Sequence, residues 1–353
     1  MKIFARILTV AALLVPLVSI NAAAQDKPKV IRVYGQGAGF GKPYGNQVIG
    51  VLRDRSLLEK EFEKDGIKVE WTFATGTGPA INEAIANGQA DFANYGGLPN
   101  IVGKAAGLPT KILASYGIGN VYLAVRANAG IDKIEDLKGK KVAVAFGTIN
   151  HLGFQRFLDL HKLTPKDLKV VNLKAGDQVS ALQAGTVDAA FGGSNFLNLE
   201  DKKLVKILFD TRGEPSPVNN FGAFTVTESF AKQYPDVVRR VVKNFVIAAR
   251  WASDDANRQE VFNIWAKTGI PADAYADDFL NQPLRERLSP LLDDFVLARY
   301  REGVVFSREE GFIRQDVDLS KWIDTSYLDA ALKELNLQNY WPRRDAAGKV
   351  KKG

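Results

Sequence analysis

From Val30 to Phe209, short runs rich in Val, Ile, Phe and Tyr alternate with segments whose apolar residues recur every three or four positions. The first pattern belongs to strands and the second to amphipathic helices. Strands are expected at 30–34, 68–73, 91–95, 111–115, 122–125, 141–145, 168–172, 189–191 and 205–209, and helices over 47–65, 79–87, 151–161 and 177–184. The alternation predicts an α/β fold with mostly parallel sheets, because parallel strands need crossovers long enough to hold a helix. Past Phe230 the pattern changes. Pro235 opens a long helix, a favoured place for proline. Val237, Val238, Val241, Val242, Phe245, Ala248 and Ala249 fall on one apolar stripe, with Arg239, Arg240 and Lys243 elsewhere. From there to Leu337 the chain reads mainly as helix and loop.

The pattern repeats itself. Glu83–Asp91 (EAIANGQAD) matches Ser180–Asp188 (SALQAGTVD) at an offset of 97 residues. Each copy is a helix ending in glycine, where a left-handed residue is tolerated, followed by an aspartate and a short strand. Each strand runs into a Gly-Gly pair, Gly96-Gly97 and Gly192-Gly193. An offset of this size is that of one α/β lobe, so two related lobes are expected.

Composition sets the class. The 353 residues are 46% hydrophobic and 25% charged, as in an ordinary globular chain. At about 100–200 residues per domain the length suggests two domains. Lys2 and Arg6 precede an apolar run from Ile7 to Ile20, and Ala22-Ala23-Ala24 follows, as at a signal-peptidase site. Residues 1–24 are therefore expected to be a cleaved leader, which places a mature chain of about 329 residues in the periplasm. The absence of cysteine excludes disulfides, thiolate nucleophiles, Cys-ligated metals and a lipid-bearing cysteine. The formal charge of +7 raises nucleic acid as a partner. However, bases alternate with acids (Arg53-Asp54-Arg55, Arg285-Glu286-Arg287), and only the tail from Arg343 to Lys352 is clustered. That is a solvated surface, and no nucleic-acid partner is expected.

Catalytic patterns are thin. The glycine-rich run 35–42 fits neither the dinucleotide nor the Walker pattern, because Phe40 and Gln36 stand where glycines are needed. His151 and His161 lack metal-ligand spacing, and there is no G-x-S-x-G elbow. No catalytic residue, metal or cofactor is expected. Loops at strand ends are more informative: 75–79, 94–97, 146–151 and 192–195 carry small or amide residues and lead into helices. Open α/β sheets bind ligands at the carboxyl ends of their strands, and helix starts offer free N–H groups to anionic oxygens. An interlobe cleft for a small anion is the expectation.

The glycine–glutamine loop, the Gly88–Asp91 turn, Leu98-Pro99 with Ala105-Ala106-Gly107, and Asp136-Leu137-Lys138-Gly139-Lys140-Lys141 together resemble periplasmic solute-binding proteins of ABC importers. Phe146-Gly147-Thr148-Ile149-Asn150-His151, Leu182–Ala189 and the segment 219–224 narrow the resemblance to the nitrate, sulfonate and taurine group. It implies a two-lobed periplasmic-binding-protein fold of type II with two hinge crossovers, near 116–120 and 217–221. The lobes would be 25–117 and 118–220, with 221–353 completing the first. It also implies a monomer that takes a small organic anion, preferably a sulfonate or sulfate ester, to an inner-membrane permease and its ATPase. Nitrate, aromatic carboxylates, pyrimidine precursors and a hydrolase on the same fold are the alternatives. The segment Phe191-Gly192-Gly193-Ser194-Asn195 lacks the aromatic and Asp-Pro or Ala-Pro usual in sulfonate and taurine binders, which disfavours an amine-bearing ligand such as taurine. On this reading the head group sits on N–H groups of Asn94, Tyr95, Gly96 and Gly97 and of Thr148, Asn150 and His151. Gln36, Ser194, Asn195 and Asn220 add polar contacts, and Tyr44, Tyr95 and Tyr116 wall the organic part.

Overall fold

Ten strands gather into two five-stranded sheets. They are β1 (Val30–Gln36), β2 (Lys68–Ala74), β3 (Phe92–Gly96), β4 (Thr110–Gly119), β5 (Tyr122–Arg126), β6 (Lys141–Val144), β7 (Lys169–Asn172), β8 (Ala189–Gly192), β9 (Val205–Asp210) and β10 (Asn220–Thr227). The strand orders are β2-β1-β3-β10-β4 and β7-β6-β8-β5-β9. This is a computed structural model, and it describes residues 27–37, 40–75, 77–213 and 215–351; the leader expected over 1–24 lies outside the described residues.

All nine expected strands form, and the tenth is the return strand at 220–227. The sheets are mixed rather than mostly parallel by pairing. β1 pairs parallel with β2 and β3, whereas β10 is antiparallel to β3 and β4. The second sheet repeats this, with β6 parallel to β7 and β8 and β5 antiparallel to β8 and β9. Four strands of each sheet thus run one way, and a single reversed strand is inserted among them. That strand is the first one built after the chain crosses from the other sheet. The two crossings lie side by side, since Gly119 at the end of β4 is the register partner of Asn220 at the start of β10.

The internal repeat has a structural explanation. Gly88 and Gly185 end their helices with φ of 66° and 71°, a left-handed conformation that favours glycine. Asp91 then accepts the Arg32 N–H at 2.8 Å, and Asp188 accepts the Lys141 N–H at 2.8 Å. Each aspartate pins the start of a central strand to its parallel neighbour.

One expected helix is broken. The segment 47–65 forms Gln47–Asp54 and Leu57–Phe62, because Ser56 is left-handed at φ 51° and turns the chain between them. The Pro235–Ala252 helix forms with its stripe buried as expected. It lies on the first sheet, where Phe245 stacks on Phe224 at 4.6 Å and Phe224 on Phe92 at 5.6 Å. Full burial of each such side chain is worth about 1.5–3 kcal/mol. No described helix is long and apolar enough to cross a membrane.

Candidate ligand-binding site

The carboxyl ends of β1, β3, β6 and β8 converge on one cavity of about 160 Å³. Four helices begin at its wall: Gln47–Asp54, Thr77–Ala86, Ile149–Leu160 and Ala175–Ala184. The turn Ser194–Phe196 starts there too. At Gln47, Ile149 and Ala175 no side chain caps the first turn, so those N–H groups remain available. Each helix start carries roughly half a positive charge.

Carboxamides complete the polar side. Asn94 and Asn195 are buried at 4% and 7% exposure. Asn94 Oδ1, Asn195 Nδ2 and Asn220 Oδ1 have no hydrogen-bond partner among the described residues. A buried polar atom left unpaired costs about 1–3 kcal/mol; the three residues all line the cavity, where the two oxygens call for a donor and the nitrogen for an acceptor. Asn220 Nδ2 donates to Asn150 Oδ1 at 2.7 Å, joining the start of β10 in the first sheet to the helix that follows β6 of the second.

The apolar part of this lining comes largely from the Gln47–Asp54 helix, β4 and the C-terminal helices: Ile49, Tyr116, Trp265, Ile270, Tyr275 and Phe279. Burial raises the Tyr116 and Tyr275 pKa values, so both hydroxyls stay protonated. Among the described residues the only charged side chains lining the cavity are Asp278 and Arg287, and they are paired at 2.8 Å. Asp278 Oδ1 also accepts from Tyr122 Oη at 2.6 Å and Asn120 Nδ2 at 3.1 Å. The cavity therefore meets an anion with dipoles rather than with an unpaired cation.

Eight residues expected at the site line this cavity: Gln36, Asn94, Tyr116, Thr148, Asn150, Ser194, Asn195 and Asn220. Five do not. Tyr95 is 1% exposed and donates to Asn82 Oδ1 at 3.0 Å, because alternation along β3 turns it away from the face that carries Asn94. The Gly96 N–H is already donated to Gln36 Oε1 at 3.3 Å. Gly97 is packing: a Cβ there would lie 2.2 Å from the Phe221 ring. Tyr44 lies under the Arg53 guanidinium at 4.3 Å, outside the lining. His151 stacks on Phe146 at 4.5 Å and packs against Phe312 at 5.0 Å. The helix also starts two residues earlier than expected, at Ile149 after Thr148. Asn150 is thus in the first turn rather than at the cap, and Thr148 Oγ1 donates to Ala145 O at 2.7 Å. Burial lowers the His151 pKa from its ordinary value, and its Nδ1 accepts the Gly147 N–H at 3.3 Å.

The sequence reading missed the whole apolar wall apart from Tyr116, and also the Asp278–Arg287 pair. Nothing local marks these residues. Trp265 is fixed by its indole N–H, which donates to Gln47 O at 3.0 Å across 218 positions.

The family described as NMT1/THI5 like matches residues 61–257. The chain belongs to the NMT1/THI5-like family. Over 289 residues it is 30% identical to a Bacillus subtilis (strain 168) protein named for binding aliphatic sulfonates, covering 80% of this chain and 84% of that one. It is 29% identical over 192 residues to the taurine-binding periplasmic protein of Escherichia coli (strain K12), covering 53% and 58%. Among solved structures, the periplasmic sulfonate-binding protein SsuA from Methylobacillus flagellatus KT superposes with a TM-score of 0.79 at 30% identity, covering 90% of this chain and 98% of that one. The NMT1/THI5-like match takes in Thr77, Asn94, Thr148, Asn150, Ser194, Asn195 and Asn220. Trp265, Ile270, Phe279 and Arg287 lie beyond it.

Proposed function

We propose that this protein is the periplasmic solute-binding component of an ABC importer and captures an organic sulfonate or sulfate ester between its lobes. The observation that carries this reading is the mixed lining of the cavity: uncapped helix starts beside apolar and aromatic side chains. Helix starts suit a tetrahedral oxyanion, and the wall suits an organic group that nitrate lacks. The names of the relatives support the same class. A ligand that touches both lobes has differential affinity for the closed form and shifts the population towards it. The paired crossings at Gly119 and Asn220 are where φ/ψ changes would be absorbed. The closed form would dock on the permease as a monomer, and its ATPase partners would hydrolyse ATP.

Binding without turnover is part of the proposal. The chain has no cysteine, His151 and His161 lie outside the cavity lining, and Asp278 is held by three donors. A thermal-shift screen of ligand-stripped protein against alkanesulfonates, sulfate esters, nitrate, carboxylates and pyrimidines tests the reading. A ligand at 100 times its Kd stabilises the native state by about 2.7 kcal/mol. Sulfonates or sulfate esters should raise Tm and be recovered unchanged. A shift with nitrate or a pyrimidine alone, or a chemically altered ligand, refutes the proposal.

A further inference from the structure

We infer that Gly96 is a positioning residue for ligand capture: by carrying no side chain it leaves the seat into which Ile149 of the other lobe settles on closure. This rests on the lobe-closure part of the proposed function and deepens it. Gly96 ends β3 in the first sheet, and Ile149 opens the helix after β6 of the second. A Cβ on Gly96 would lie 2.8 Å from Ile149 Cβ and 2.9 Å from Ile149 Cγ2. Non-bonded carbons settle at about 3.5–4.0 Å. Ile149 Cβ is tied to the start of a helix, so the clash is relieved only by moving that helix away. Nothing in the surroundings of Gly96 within its own lobe asks for glycine. Its backbone is extended, at φ −67° and ψ 156°, a conformation open to any residue. The next atom its Cβ would meet is Ile149 N, at an ordinary 3.6 Å, and among the described residues no atom of the first sheet comes closer, chain neighbours aside.

A second contact has the opposite sense. Gly147, two positions before Ile149, is left-handed at φ 70°, and a Cβ there would lie 3.1 Å from Pro79 Cγ in the helix after β2. The segment 147–149 thus offers a hollow to one residue of the first lobe and a knob to another. Together the two fits hold the segment in one register. Between them lies Thr148, which lines the cavity with Ile149, Asn150 and Asn94, whereas Gly96 does not. The seats therefore set how near the helix start at Ile149 comes to Asn94, and with it the gap that a ligand spans. A side chain at position 147 would be strained by the backbone alone, so position 96 is the diagnostic one.

Gly96→Ala should penalise the closed form alone. Titration calorimetry of ligand-stripped protein with propane-1-sulfonate should show binding at least about tenfold weaker, or 1.4 kcal/mol. The ligand-free Tm should stay level or rise, since alanine restricts the unfolded chain. Small-angle scattering should show a smaller contraction on saturation than in the wild type. In the Ile149→Gly background the same Gly96→Ala change should cost less than about twofold, because the clashing atoms are gone. Affinity within twofold of the wild type, or an equal cost in both backgrounds, overturns the inference. So does a fall in ligand-free Tm that matches the loss of binding, which would make the contact permanent. Each of these leaves the closure reading intact. Wild-type protein that fails to bind propane-1-sulfonate, or binds it without contracting, sinks the proposed function itself, and this inference with it.

Discussion

Replacing Asn150 by aspartate separates ligand binding from folding. Asn150 sits in the first turn of the Ile149–Leu160 helix and accepts from Asn220 Nδ2 at 2.7 Å. An aspartate keeps that acceptor and makes the bond charge-assisted. A carboxylate in a first turn also gains about 0.3–1 kcal/mol from the helix dipole. Stability should therefore be unchanged or slightly higher. Binding should suffer. Two unit charges about 6 Å apart at an effective dielectric constant near 20 repel by roughly 2.8 kcal/mol, which is about 100-fold in Kd. The assay is calorimetry with an alkanesulfonate beside a melting curve of the ligand-free variant. Near-normal affinity would remove the anion from this helix start. A collapse of Tm would show that the Asn150–Asn220 contact needs both carboxamides and that the residue serves the fold.

Three further perturbations test other parts of the argument. Gly222→Ala would put a Cβ 2.1 Å from the Tyr116 ring and 2.4 Å from Tyr95 O. Overpacking of this kind costs about 1–3 kcal/mol, so urea unfolding should show that loss together with weaker ligand binding as Tyr116 shifts; unchanged behaviour in both would contradict the packing. Asp278→Asn leaves the Arg287 charge buried without its partner, and a loss of about 3–5 kcal/mol is expected by denaturation; less than 1 kcal/mol would mean the pair is solvated. Burial holds the His151 pKa below its ordinary value, so the folded state favours the neutral ring. That stability is full above the unfolded value of about 6.5 and is lost as pH falls below it. His151→Phe keeps the ring stack without the titration, so its Tm should fall less than that of the wild type between pH 7.5 and 5, whereas equal falls would refute the assignment.

The difference between what the sequence revealed and what it hid follows the range of the forces involved. Strands β1 to β9 were legible because the strand pattern is local, and the repeat because Gly88 and Asp91, like Gly185 and Asp188, act within one turn. The break at Ser56 was not, since a left-handed serine leaves no compositional trace. The cavity-lining carboxyl ends of β1, β3, β6 and β8 were legible because α/β topology places such ends of parallel strands at one edge. Where Asn94 was named with Tyr95 and Asn150 with His151, one of each pair lines the cavity. Asn94 and Tyr95 are consecutive on a strand and point to opposite faces, so only one could line the cavity. Asn150 and His151 are consecutive on a helix and about 100° apart, so the cavity takes the first and the aromatic stack the second.

The apolar wall was hidden for a different reason. Its members between Trp265 and Arg287 belong to the C-terminal helices, and contacts such as Trp265 to Gln47 bring them to the cavity from more than 200 positions away. Read singly, Asp278 and Arg287 are two surface-type charges; paired and buried at 8–9% exposure they cancel. The cancellation decides what the cavity can hold. With an unpaired arginine the site would bind through charge, and small inorganic anions would compete well. With the arginine neutralised, affinity has to come from oriented N–H groups and from buried apolar area. A ligand that brings only its charge therefore leaves the apolar lining unused.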